Sequence, residues 1–240
     1  MPGGILDVFK GNPVSPFPRF RHCGETALSV ELGRGIDAQV NRRVHALHRA
    51  LKQRPLGGIV SIIPTYRSLF VHYNPALCSF ERLMLTVQEL LEQLQDTSED
   101  DASCVEIPVC YGGEFGPDLA NVAALHGLAE EEVVRRHTAP TYHVYMIGFT
   151  PGFPYLGGLD ARLATPRKKT PRPKVPAGSV GIAEQQTGIY PIESPGGWQI
   201  IGRTPLKLFD VRREPPFLVE PGMKVRFRAI SREHYENLVH

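Results

Sequence analysis

Between Met146 and Asp210 the cations Arg162, Arg167, Lys168, Lys169, Arg172, Lys174, Arg203 and Lys207 face only Asp160, Glu184, Glu193 and Asp210. Prolines at 166, 171, 173 and 176 hold the basic segment extended. Such an arm suits phosphate or carboxylate oxygens, which arginine binds through paired hydrogen bonds. Arg167, Arg172 and Arg203 are the candidates for that work, while Lys168 and Lys169 read as a solvated basic loop. The Gly/Pro turns at 148–158 and 194–197 offer a second device, backbone N–H groups aimed into a cleft to stabilise developing negative charge. The plainer alternative is that these glycines only satisfy turn geometry. Phe149, Phe153, Tyr155, Tyr190 and Trp198 are candidates to wall a small-ligand pocket, with core packing as the competing role. His137 offers acid/base chemistry near pH 7, or else a cation favoured by the C-terminal end of a helix dipole.

Other chemistries lack their motifs. There is no G-x-x-x-x-G-K-[ST] loop, no G-x-G-x-x-G after a strand, no H-E-x-x-H and no G-x-S-x-G elbow. Gly178-Ser179-Val180-Gly181 reads as a tight turn entering a strand, not as a nucleophile elbow. Gly222-Met223-Lys224-Val225 likewise reads as a strand start, not a biotin-attachment turn. His45, His48, His72, His126 and His143 show no recognisable spacing. Cys23, Cys78, Cys104 and Cys110 make no C-x-x-C pair and read as reduced thiols; no metal site is expected.

The motifs also carry a family resemblance. Gly148-Phe149-Thr150-Pro151-Gly152-Phe153-Pro154-Tyr155-Leu156-Gly157-Gly158-Leu159 resembles the signature of the family of 5-oxoprolinase B subunits, also called allophanate hydrolase subunit 1. Val175–Ile182, Gln186–Pro191, Glu193–Trp198, Ile201–Pro205 and Ile107–Leu119 are similar to the same pattern. Gly24–Gly33 is looser, with Glu25 and Thr26 where the family has Asp and Ser. The resemblance implies one component of an ATP-dependent enzyme, working with Mg²⁺, that helps open 5-oxo-L-proline to L-glutamate in the cytoplasm. It implies the C subunit of 5-oxoprolinase as a direct partner and the A subunit as another, with neither nucleic acid nor membrane. Residue chemistry and place in these motifs together give the expected site: Arg203, Arg172 and His137 as catalytic, with Phe149, Gly152, Phe153, Tyr155, Arg167, Ser179, Gln186, Thr187, Tyr190, Ser194, Gly196, Gly197, Trp198 and Thr204 binding substrate or nucleotide. The run lacks an obvious carboxylate cluster for Mg²⁺, which suggests that another chain completes the site. Two alternatives share the resemblance: a regulator of a sensor histidine kinase, as in the family's sporulation-kinase inhibitor, and the carboxyltransferase part of a urea-carboxylase-like system. Prolyl isomerisation has only the fold in its favour and is the weakest reading.

The elements that must position these residues follow from periodicity. A chain of 240 residues is long enough for two small domains, and its net charge of +2 favours neither nucleic acid nor a membrane surface. No apolar run is long enough to span a membrane, and the first residues lack a secretory pattern. Ala27 to Leu32 alternates as a strand; Asp37 caps a helix carrying Val40, Val44, Leu47 and Leu51. Ile59–Ile63 and Tyr66–Tyr73 are strands, and Ser79 caps a helix burying Phe80, Leu83, Met84, Val87, Leu90, Leu91 and Leu94. The expected unit, residues 1–98, is an α+β sandwich with both helices on one sheet face. Acidic, polar residues 96–103 mark the boundary. From 103 to 240 a first strand through Val105, Ile107 and Val109 precedes short helices over Pro117–Leu125 and Ala129–His137 and a strand over Tyr142–Ile147. Strand and turn alone are expected beyond, ending with Lys224–Ile230. The resemblance makes this second unit a cyclophilin-like barrel.

Overall fold

The computed structural model describes residues 17–54, 56–94 and 102–239. The chain divides into two compact units, Met1–Ser98 and Glu99–His240. Much of the expected boundary segment, residues 96–101, lies outside the described residues.

In the first unit, β1 (Arg19–His22), β2 (Ala27–Glu31), β3 (Ile59–Pro64) and β4 (Ser68–Tyr73) form an antiparallel sheet in the order β1-β2-β4-β3. Strand β4 alternates strictly, burying Leu69, Val71 and Tyr73. Helix α1 (Ala38–Gln53) starts where expected, because the Asp37 carboxylate accepts from the backbone N–H groups of Gln39 and Val40. Helix α2 (Phe80–Gln93) starts at Ser79, whose hydroxyl accepts from the Arg82 N–H. Val44, Leu47 and Leu51 of α1 and Leu83, Val87 and Leu90 of α2 share one core with Leu28, Val30, Leu69 and Val71 of the sheet. Strand β1 was not expected. Its sequence RFRH has one apolar residue and no alternation, and it forms because the edge of β2 supplies a hydrogen-bonding template.

The second unit is built on a closed barrel of seven strands. They are β5 (Cys104–Tyr111), β6 (Thr141–Ile147), β7 (Pro154–Gly157), β9 (Ser179–Ala183), β10 (Gln186–Ile189), β12 (Gln199–Arg203) and β13 (Lys224–Ala229). Their order is β10-β7-β6-β13-β5-β12-β9, with β5 and β13 parallel and every other pair antiparallel. A separate ribbon pairs β8 (Arg172–Val175) with β11 (Ser194–Gly196). Helix α3 (Leu119–His126) packs on β12 and α4 (Glu130–Thr138) on β13. The core fills from both sources: Val109, Val144, Leu156, Val180, Ile182, Ile201 and Phe227 from strands, Val122 and Val133 from helices.

Two departures interrupt the strand and turn expected beyond Ile147. A 3₁₀ turn occupies Ala161–Leu163, and the chain ends in helix α5 (Arg232–Val239), not in strand. Helix α5 buries none of its residues fully, so apolar periodicity could not announce it. It is held by its own first turn, where the Ser231 hydroxyl accepts from the His234 N–H, and by Arg232–Glu114 and Phe115–Tyr235 contacts with the barrel.

Candidate active site

Asp118 is the organising residue. It occupies the N-cap position of α3 but makes no cap bond with its side chain. Its carboxylate turns to other donors. Oδ1 accepts from Arg172 Nη2 at 2.7 Å and Lys168 Nζ at 3.2 Å, and Oδ2 accepts from the Ile200 N–H at 2.7 Å. The Asp118 N–H in turn donates to the Ile200 carbonyl at 2.8 Å, locking α3 to β12. The side chain is almost fully buried. Burial alone would raise its pKa. The Arg172 hydrogen bond, the Ile200 N–H and Lys168 outweigh it, so the carboxyl lies below the usual range and stays ionised.

This alters the charge balance drawn from the sequence. Arg172 and Lys168 are not unopposed cations, because the acid that answers them lies 54 and 50 residues upstream. Arg172 keeps one buried nitrogen, Nη1, without a hydrogen-bond partner. Arg203, three residues beyond Ile200 on β12, lies ~10 Å along the strand from the Asp118 cluster. It pairs in register with Ser179 and Cys110, its guanidinium carbon stands 5.9 Å from the Phe115 ring, and its buried Nε has no hydrogen-bond partner. Arg172 and Arg203 therefore belong to different neighbourhoods.

Gly178 organises the Arg203 end. Its N–H donates to the Tyr190 carbonyl and its carbonyl accepts from Thr204 N–H, while Tyr190 N–H donates to the Ser179 carbonyl. Ser179 and Thr204 are thereby buried beside Arg203, and the Ser179 hydroxyl has no hydrogen-bond partner. Gly178 has φ +80°, and a Cβ there would stand 2.3 Å from the Thr204 carbonyl oxygen. Gly178→Ala is expected to lower stability by about 2 kcal/mol, read as a shift in the urea unfolding midpoint.

His137 is corrected from a candidate catalyst to a core residue. It is fully buried. The Thr187 hydroxyl donates to the Gly181 carbonyl at 3.0 Å, so its oxygen accepts from His137 Nε2–H at 2.9 Å. Nδ1 is then the acceptor, and the Tyr111 hydroxyl donates to it at 2.8 Å. Burial lowers the His137 pKa to about 3, so the ring is neutral. Neither proton shuttling near pH 7 nor a helix-end cation is compatible with that. Thr187 is buried in the same network, out of reach of a ligand.

The aromatic set divides. Phe153, Tyr190 and Trp198 are buried together with Val175, Ala183 and Ile200, with T-shaped contacts of Phe153 to Tyr190 at 5.1 Å and to Trp198 at 5.4 Å. Burial pushes the Tyr190 hydroxyl up to about 12. These three are core, not pocket wall. Gly196 belongs to the same packing, since a Cβ there would stand 2.2 Å from the Tyr190 hydroxyl. Ser194 is buried, its hydroxyl without a hydrogen-bond partner, and Gln186 begins β10 opposite Ala183. Tyr155 is half-buried; Phe149 is 61% exposed, with φ +64°. The neighbouring turn at Gly152 also has positive φ, but the N–H groups of Gly148, Thr150 and Phe153 bond to Phe153, Gly148 and Thr150 carbonyls. Those three amides close the turn on itself and are not free to hold an oxyanion.

Beside Asp118 a cleft of about 510 Å³ opens between α3 and the basic arm, lined among others by Asn121, Leu125, Arg167, Lys168, Lys169 and Gln199. Arg167 lies over the Trp198 ring, 5.8 Å from its centroid. Gly197 borders the arm, its carbonyl accepting from the Lys168 N–H. Sequence reasoning picked out Arg167 here but missed Asp118, Asn121 and Gln199. Asp118 did leave a signal, an acid directly before an apolar helix in Gly-Pro-Asp-Leu; Asn121 and Gln199 left none. Among the described residues no three of His, Cys, Asp and Glu gather as a metal site, and all four cysteines are free.

Residues 18–219 match the carboxyltransferase domain, subdomain C and D. The chain is 47% identical to the 5-oxoprolinase B subunit of Bacillus subtilis, over 90% of this chain and 95% of that one. It is 46% identical to the protein of that name from Escherichia coli O157:H7, over 85% and 92%. The crystal structure of TTHA0988 superposes with a TM-score of 0.76 at 42% identity, over 85% of this chain; the chain spans only 40% of that longer protein. With matches of that extent, the chain belongs to the family of 5-oxoprolinase B subunits, within the carboxyltransferase-domain proteins.

Proposed function

We propose that this chain is the B subunit of an ATP-dependent 5-oxoprolinase, which opens 5-oxo-L-proline to L-glutamate together with the C and A subunits in the cytoplasm. The observation that carries the reading is the 47% identity over 95% of the Bacillus subtilis protein. The geometry is compatible with the chemistry. An unstrained lactam is a poor electrophile, and phosphorylation of its oxygen supplies a leaving group. The protein's task is then to position oxyanions and neutralise their charge. Arg203 and Arg172, both partly exposed and each with a nitrogen lacking a hydrogen-bond partner, are the residues proposed for it.

Co-production with the C and A subunits, followed by glutamate release from 5-oxoproline with and without ATP, tests the assignment. Release is expected to require ATP and all three chains. Arg203→Ala is expected to lower turnover by about 100-fold with assembly intact. Arg162→Ala serves as the control, since Arg162 is exposed and paired with Asp160. Full activity in the Arg203 variant would remove that residue from the mechanism. Full activity without this chain would remove the function itself.

A further inference from the structure

We propose that the cleft between α3 and the basic arm binds the polyphosphate of a nucleoside triphosphate, which places nucleotide recognition on this chain. That the ligand is a nucleotide rests on the function proposed above; that the cleft takes polyphosphate rests on its own chemistry.

Three features carry the inference. The first is unbalanced charge. Arg167, Lys168 and Lys169 stand on consecutive residues at the cleft, and the acid that reaches one of them, Asp118 through Lys168, is already shared with Arg172 and the Ile200 N–H. Arg167 and Lys169 make no ion pair among the described residues. The second is preorganisation. The backbone of the arm is pinned at three points: Thr165 exchanges both backbone bonds with Glu184, the Pro166 carbonyl accepts from Gln199 Nε2 at 2.9 Å, and Lys168 N–H donates to Gly197. The side chains of Arg167 and Lys169 therefore project from a fixed backbone, which lowers the ordering cost of gripping an anion. The third is size and mixed character. About 510 Å³ lies within the range of clefts that hold drug-sized ligands, and Leu125, 60% exposed, lines the same cleft from α3 and adds apolar surface to it. A five-membered lactam acid would fill little of that space and use one or two of the three cations. A triphosphate offers oxygens to all of them, and a nucleoside offers a flat apolar surface to Leu125.

The test uses the full-length chain and its single tryptophan, Trp198, whose ring lies under Arg167. Trp198 emission is titrated with ATP, with inorganic tripolyphosphate and with 5-oxoproline. Binding of ATP is confirmed by equilibrium dialysis, because Arg167→Ala itself changes the environment of the fluorophore. Saturable changes are expected with ATP and tripolyphosphate. Affinity for both should fall at least about tenfold in Lys169→Ala and in Arg167→Ala. Leu125→Glu should weaken both ligands, and Arg162→Ala should leave both unchanged. Two results would overturn the proposal: ATP binding absent or insensitive to the Arg167 and Lys169 variants, or 5-oxoproline alone showing the same sensitivity in place of ATP. The two readings separate in the assembled complex. Normal ATP-dependent ring opening with an unchanged KM for ATP in the Lys169 variant removes the cleft and leaves the proposed function standing. Variant-sensitive tripolyphosphate binding in a chain whose complex has no ring-opening activity does the reverse.

Discussion

Asp118→Ala is expected to destabilise the barrel unit by about 3 kcal/mol, read from urea unfolding followed by Trp198 emission. The substitution leaves Arg172 Nη2, Lys168 Nζ and the Ile200 N–H without their acceptor. Removing one partner from a buried ion pair costs roughly 3–5 kcal/mol, because the other charge remains desolvated. The lower end applies here, since Arg172 and Lys168 are about a quarter exposed and can turn toward water. The Ile200 N–H cannot turn, being part of the strand that carries Arg203. Asp118→Asn separates charge from hydrogen bonding. It keeps an oxygen for Ile200 but loses the ion pairs, and it should cost about half as much. If the alanine variant unfolds at the wild-type midpoint, Asp118 is not the anchor described above.

The same residue shows where sequence reasoning stopped. Caps and periodicity are local signals, and they were legible: Asp37 and Ser79 begin their helices, and Val44, Leu47 and Leu51 face the core as their spacing requires. The glycine- and proline-rich run correctly excluded long helices. An ion pair that joins residues 54 apart, from the start of α3 to the β8–β11 ribbon, leaves no such trace, because spacing reports neighbours along an element and not partners on another one. The arginines therefore looked unopposed. Strand β1 was invisible for a related reason, being specified by the edge of β2 and not by its own four residues. Helix α5 did carry one readable sign, the Ser231 cap, which the absence of a buried face obscured. For the aromatic residues composition could not separate core from wall. Phe153, Tyr190 and Trp198 pack on one another, and only closure of the barrel decides which face of each ring remains wet.

Taken together, the buried hydroxyls of Ser179 and Ser194 and the paired charges around Asp118 indicate a scaffold whose polar groups serve position more than chemistry. That is what this chain's proposed role, completing a site shared with a partner chain, requires. Its guanidinium groups must be held in fixed places, and it needs no nucleophile of its own.

The second large effect concerns pH. His137 titrates near 6.5 in an unfolded chain and at about 3 in the folded barrel, where burial penalises the charged ring. A folded pKa below the unfolded one means that the unfolded chain binds the proton more readily. The contribution to stability is therefore fully present above about pH 6.5 and is lost as pH falls from there toward 3. Between pH 7 and 4.5 the loss from this residue is about 2.5 kcal/mol, equivalent to a shift of roughly 1 M in the urea midpoint. His48, lowered to about 4 chiefly by burial and then by Lys52 and Arg49, has the same sign but lies in the first unit. Trp198 emission reports the barrel, so the two contributions are separable. His137→Gln can still bond to Thr187 or Tyr111 but cannot titrate. It should be less stable than wild type at pH 7, and its midpoint should change little between pH 7 and 4.5. A wild-type barrel whose urea midpoint is constant over that interval, or a glutamine variant with the same slope as wild type, would show that His137 is not the neutral, fully bonded core residue placed between Tyr111 and Thr187.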